Sequence, residues 1–303
     1  MLKLINKKFE LSDEMLFKCL VGALFVFVSL FCLLSVIFFN YIAIRSSAIF
    51  LLQHSMDKTD VFFNDLISFI SSGLLDESWV VFIIMILAFF VGYYLAYTMI
   101  RPFKLIASYC QQKTNHKSYQ SSDFISNLKL LNQISYFFFA QIDLAYAQGK
   151  LKPVEIPENF TKIHRPKFEI GFFINYFLVV IIFAFISTYG IIYINSFIQE
   201  MVILLSKKFY LEGGPINFYL DKQFEIMNFY LYFLVSTHVL VYILCGYYLY
   251  SKVATPAFAI FATMRSFMKG NYGNRIHLVG HSYLREDCRK INKYLEAVEK
   301  ELT

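Results

Sequence analysis

Four stretches of the chain are apolar almost without interruption: residues 16–39, 79–100, 171–194 and 228–250. Each has the length of about 20 residues that an α-helix needs to cross the hydrocarbon of a bilayer. Between the first two, residues 61–75 place Phe62, Phe63, Leu66, Ile67, Phe69, Ile70 and Leu74 at helical spacing. That pattern predicts one amphipathic helix, lying at the membrane interface or continuing the bundle beyond it. The first stretch is too long and too weakly bounded for a cleavable signal sequence, so it is expected to stay as an anchor. The fold class expected is an all-α membrane protein with four transmembrane helices.

Charge orients these spans. Twenty-three of the 28 basic residues fall in the N-terminal segment, between spans two and three, or after span four. The loops expected at 41–78 and 195–227 hold the other five: Arg45, Lys58, Lys207, Lys208 and Lys222. By the positive-inside rule both termini and the central segment are expected to be cytoplasmic. The net charge of +6 is thereby accounted for, and no concentrated basic patch points to a nucleic-acid partner. The partners expected are the lipid bilayer and another protein.

The chain also repeats itself. Span two ends GYYLAYTMIRP, Gly92 to Pro102, and span four ends GYYLYSKVATP, Gly246 to Pro256. Gly, Tyr, Tyr, Leu and Pro recur at an offset of 154 residues, and spans one and three align at nearly the same offset. The expected organisation is a cytoplasmic N-terminus (1–15), a membrane hairpin (16–101), a cytoplasmic helix pair (102–147) and a proline-containing linker (148–168). A second hairpin (169–255) and a second helix pair (256–303) follow. Proline lacks an N–H and has a fixed φ, so Pro102 and Pro256 are expected to reset the chain into new helices just past the membrane.

After Pro256, Ile260, Phe261, Met264 and Phe267 have helical spacing, and Gly270 is placed as a C-terminal cap. A connector with Tyr272, Ile276 and Leu278 follows, then a helix with Ile291, Leu295 and Val298 as its seam. This pattern over residues 256–300 resembles a HAMP domain, the cytoplasmic relay of many bacterial receptors. Pro256, Gly270, Tyr272, Ile276, Leu278 and the Ile291–Asn292 pair fall at the family's spacing. Ser282 and Tyr283 stand where the family has an acidic pair, and Asp287 stands at a seam leucine. The first copy departs further: His116 replaces the capping glycine and the connector 117–124 is polar. Its second helix is expected from about Asp123 through Leu128, Leu131, Ile134 and Phe138.

The resemblance implies a four-helix bundle, ordinarily built from two subunits. This chain supplies four cytoplasmic helices by itself, so a fused pseudo-dimer is expected, with an ordinary homo-oligomer as the competing arrangement. No output module follows residue 303, so a transducer would act on a partner in trans. The alternative is a structural subunit of a larger bacterial machine, and a channel or transporter ranks below both. None of the four spans contains Asp or Glu, which disfavours a cation-coupled transporter, while a pore lined by Tyr, Ser and His stays open.

Candidate chemistry is sparse. His238 lies near the middle of span four, and the reading preferred is a neutral imidazole bonded across the bundle to Asn175 or to a Ser, Thr or Tyr. His277 and His281 are four residues apart with Cys288 beyond, but Gly280 argues against the helix a metal pair would need. The five cysteines are scattered and form no CxxC pair. No catalytic, cofactor-binding or metal site is expected, and an enzyme is not.

Overall fold

The computed structural model describes residues 12–53, 59–115, 128–161, 170–209 and 215–302. All regular elements among them are helices. In chain order they are α1 (Asp13–Gln53), α2 (Thr59–Asp76), α3 (Ser78–Thr114), α4 (Lys129–Gln148), the single turn α5 (Glu158–Thr161), α6 (Ile170–Phe209), α7 (Pro215–Met268) and α8 (Arg285–Leu302). A 3-10 turn at Ser282–Leu284 leads into α8. Four of these, α1, α3, α6 and α7, contain segments long and apolar enough to cross a membrane.

The long helices exceed the spans read from hydropathy. The segments expected as outer loops are mostly helical: α1 runs on to Gln53, α6 to Phe209, and α7 begins at Pro215. The cause is periodicity past the hydrocarbon length. Ile44 of α1, Ile70 of α2 and Ile194, Ile198 and Val202 of α6 are buried together with Leu33 in one cluster. Helix α2 therefore continues the bundle. Phe69, expected on its buried face, is exposed, because a residue next to buried Ile70 is turned about 100° away from it. The side chains of Phe62, Phe63 and Leu66 lie outside those described.

The prolines depart from expectation too. Pro102 lies inside α3 and Pro256 inside α7, and neither begins a new helix. An interior proline removes one hydrogen bond and crowds the carbonyl four residues back. At Pro256 that carbonyl, on Lys252, is taken up by the hydroxyl of Tyr283 at 2.9 Å, so the helix continues without losing its partner.

The chain divides into two compact units, each drawing on all four long helices. Unit 1 comprises residues 1–21, 93–178 and 245–303, and unit 2 comprises residues 22–92 and 179–244. In unit 2 the usual distribution is inverted. Ser29, Asn40, Ser187, Asn195 and His238 are buried, while Phe27, Phe31, Phe82, Phe185 and Phe233 are each more than 60% exposed. Apolar surface this extensive is what a lipid-facing exterior requires and a water-facing one rarely tolerates. Helices α1 and α3 approach so closely that a Cβ on Gly22 would stand 2.9 Å from the Phe89 carbonyl oxygen.

Candidate functional site

Unit 1 gathers the helices around the two prolines. The end of α3 buries Phe103, Ile106, Ala107 and Cys110, and α4 buries Leu131, Ile134, Ser135, Phe138, Phe139 and Ile142. The end of α7 buries Ile260, Phe261, Met264 and Phe267, and α8 buries Cys288, Ile291, Tyr294, Leu295 and Val298. Aromatic rings interlock between them. Tyr109 of α3 meets Phe139 of α4 at 4.2 Å, Phe138 meets Phe267 of α7 at 5.9 Å, and Phe139 meets Tyr294 of α8 at 5.8 Å. The α3 end, α4, the α7 end and α8 thus share one core within a single chain.

The sequence explains why each helix stops where it does. Gly149, at φ 70°, closes α4. Gly270, at φ 100°, closes α7 in a Schellman motif: Asn271 N–H donates to Ser266 O (3.1 Å) and Gly270 N–H to Phe267 O (3.0 Å). The linker after α4 then serves the remaining carbonyls. Leu151 N–H donates to Leu302 O (3.2 Å) and Val154 N–H to Met268 O (2.9 Å). A Cβ on Gly270 would meet Pro153 Cγ at 3.3 Å, so both backbone angle and space restrict that position.

The connector is fastened to α8 by one residue. Asn292 accepts from Ile276 N–H at 2.9 Å and donates to Ile276 O at 3.0 Å, engaging both backbone polar groups of one residue. Ile276, Ile291 and Leu295 are buried and Leu278 is half-buried. Arg275 pairs with Glu299 beside this clamp. Tyr272 packs its ring on Phe267 at 5.2 Å. Of the candidates in the first copy, Pro102 is buried in α3, while His116, the connector 117–124 and Asp123 lie outside the described residues, as do Lys3, Lys7 and Lys8. Leu128 is not helical, and α4 starts at Lys129.

Helix α1 reaches both proline regions. Glu14 takes Lys104, two residues past Pro102, at 2.7 Å, and also Lys18. Phe17 stacks on Tyr283 with ring centroids 4.0 Å apart and planes 15° from parallel. Tyr283 spends its only proton on Lys252 O, so His281 Nδ1, 2.8 Å away, must donate to it. Burial and the charge of Lys252 hold His281 below its ordinary pKa. Tyr283, seen in the sequence only as a departure from an acidic pair, is therefore the contact joining α1, α7 and the start of α8.

Unit 2 holds a second polar arrangement. His238 Nε2 lies 3.1 Å from Ser187 Oγ, Ser187 Oγ 3.2 Å from Ser29 Oγ, and Ser29 Oγ 2.6 Å from Tyr242 OH. Tyr242 donates to Phe25 O at 2.9 Å. One proton per hydroxyl fixes the direction of the whole chain: Ser29 donates to Tyr242, Ser187 to Ser29, and His238 Nε2–H to Ser187. His238 is thus bonded across the bundle to a serine. Asn175 is exposed in unit 1. His277 is exposed and His281 engages Tyr283, and no group of three metal-ligating side chains occurs among the described residues.

Four helices of this length and hydropathy mark the chain as a multi-pass membrane protein. Compared with protein-family models, curated proteins and solved structures, it matches none.

Proposed function

We propose that the chain is a non-enzymatic, HAMP-type signal transducer of the bacterial inner membrane, with cytoplasmic termini, acting on a partner protein in trans. The observation that carries this reading is the bundle of unit 1. In it the described parts of both proline-flanked helix pairs, residues 102–115 with 128–147 and 256–302, bury their seams against each other within one chain. That is the fused pseudo-dimer a duplicated relay would form. Recurring element positions support the duplication: α1 and α6 start 157 residues apart (Asp13, Ile170), and α3 and α7 end 154 apart (Thr114, Met268). The contacts of Glu14 and Phe17 near the two prolines give membrane helices a direct mechanical hold on the relay. The outward face of α8, with Glu286, Arg289, Lys293 and Glu296 exposed, is a charged surface suited to a partner.

The aromatic interlock of Tyr109, Phe138, Phe139, Phe267 and Tyr294 favours a second reading, a rigid scaffold subunit of a larger envelope machine. Crosslinking mass spectrometry after gentle extraction from native membranes separates the two. Crosslinks from residues 285–302 to a kinase, cyclase or chemotaxis-type protein support the transducer. Crosslinks confined to components of a fixed assembly replace it with the scaffold.

A further inference from the structure

Unit 2 contains two cavities that share one residue. The larger, about 250 Å³, lies among α1, α6 and α7, with Val36, Asn195, Met227, Tyr230 and Leu231 on its wall. The smaller, about 150 Å³ and almost wholly apolar, lies among α1, α2 and α6. Asn40 lines both. It is 4% exposed, and Asn195 is 2% exposed.

The orientation of the Asn40 amide follows from its neighbours. Its nitrogen lies 2.8 Å from Val36 O and 3.0 Å from Asn195 Oδ1. A backbone carbonyl only accepts, so the group facing Val36 O must be the NH₂. Asn40 Oδ1 is then left buried with no hydrogen-bond donor, an arrangement that is costly unless a ligand supplies one. Asn195 has given its oxygen to Asn40, which leaves its NH₂ outside that bond. A missing donor and an amide NH₂ therefore belong to adjoining residues on the wall of one mostly apolar cavity. Water would supply the donor. Water alone would leave the apolar side chains of Val36, Met227, Leu231 and Leu234 on the same wall without a matching partner. The only charged residue on the wall, Lys222, is paired with Glu225 at 2.6 Å, so a charged ligand meets no free counter-charge.

We infer that the 250 Å³ cavity binds a small neutral amphiphile whose hydroxyl donates to Asn40 Oδ1 and accepts from the Asn195 amide, with its hydrocarbon body against Met227, Tyr230 and Leu231. The volume is below the roughly 300–1,000 Å³ of sites for drug-sized ligands, which sets the scale at a medium-chain alcohol. The site goes beyond the transducer reading and stands without it.

The test uses the purified full-length chain in nanodiscs, a diazirine-bearing octanol as photoprobe, and mass spectrometry to locate the label. The expected result is saturable labelling at Met227, Tyr230 or Leu231, displaced by octanol at least about tenfold more effectively than by octane, the discrimination of one hydrogen bond. Asn40→Leu alone strands a buried Asn195 and can compromise folding. The paired replacement Asn40→Leu with Asn195→Leu removes both partners and is expected to fold normally. In it octane and octanol should compete equally. Equal competition in the natural chain, absence of saturable labelling, or an alcohol preference that survives the paired replacement would each overturn the inference.

Discussion

The hydroxyl of Tyr283 works on a carbonyl that exists as a free acceptor only because residue 256 is proline. Tyr283→Phe should lower the thermal unfolding midpoint in detergent by the equivalent of about 1–2 kcal/mol. Pro256→Ala restores an N–H to Lys252 O, so in that background the same change should cost clearly less. Equal losses in both backgrounds would show that the hydroxyl does not serve this carbonyl. Asp287 presents the opposite situation, a carboxyl in a seam. Burial pushes its pKa from 3.8 up to about 6; Glu14 and Glu286 add to the rise, and Lys290 and Lys104 oppose it. The folded state therefore holds its proton more tightly than the unfolded state. Stability falls as pH rises from about 4 to about 6 and stays lower above, by about 3 kcal/mol at pH 7. Asp287→Leu should raise the midpoint at pH 7.5 and flatten the profile between pH 4.5 and 7.5; a natural chain whose midpoint is already flat there would refute this account. Neither residue could be assigned these roles from sequence. Tyr283 and Asp287 were visible as departures from a pattern, but their partners, Lys252 O, Phe17 and Glu14, are supplied by tertiary structure.

Among the elements, Asn292 holds the connector to α8 through both polar groups of Ile276. Asn292→Ala should leave the helices intact by circular dichroism and release the connector locally by about 1–3 kcal/mol. Trypsin cleavage after Arg275 should then be faster than in the natural chain; an unchanged rate would mean that the Arg275–Glu299 pair and the burial of Ile276 suffice. The glycine cap at 270 was legible in the sequence because a positive φ at a helix end is a local requirement, whereas the Ile291–Asn292 pair was marked only by the resemblance and its clamp on Ile276 lies 16 residues away. The existence of the four long helices was legible for the same kind of reason, since a run of about 20 apolar residues has few other uses. Their ends were not. Ile198 and Val202 carry helical periodicity past the hydrocarbon length, and nothing local reveals that Ile70 of α2 waits to cover them. The prolines misled for a related reason: a helix boundary is the local preference, and a hydroxyl 27 residues away at Tyr283 removes part of the penalty for continuing.

At the scale of the molecule, the arrangement that distinguishes this chain is a four-helix core assembled from the ends of α3 and α7 together with α4 and α8. Seams as apolar as those of α4 and α8 must be covered, and in a homo-oligomer a second chain would cover them. Here Ser135 of α4 lies 3.8 Å from the sulfur of Met264 in α7 of the same chain, and Tyr146 of α4 donates to Glu301 of α8 at 2.8 Å. In a background with the five native cysteines replaced, Tyr146→Cys together with Glu301→Cys, both exposed and in contact across α4 and α8, should be bridged by a short bis-maleimide in membranes. The product should run as a monomer, with little dependence on expression level. Mixing chains that each carry one of the two cysteines should give no bridged dimer. A dimer as the main product of either experiment would mean that this core is built between chains. With a monomeric product, the four helices pair one-to-one within the chain, and any displacement of α1 against this core is borne at the contacts of Glu14 with Lys104 and of Phe17 with Tyr283.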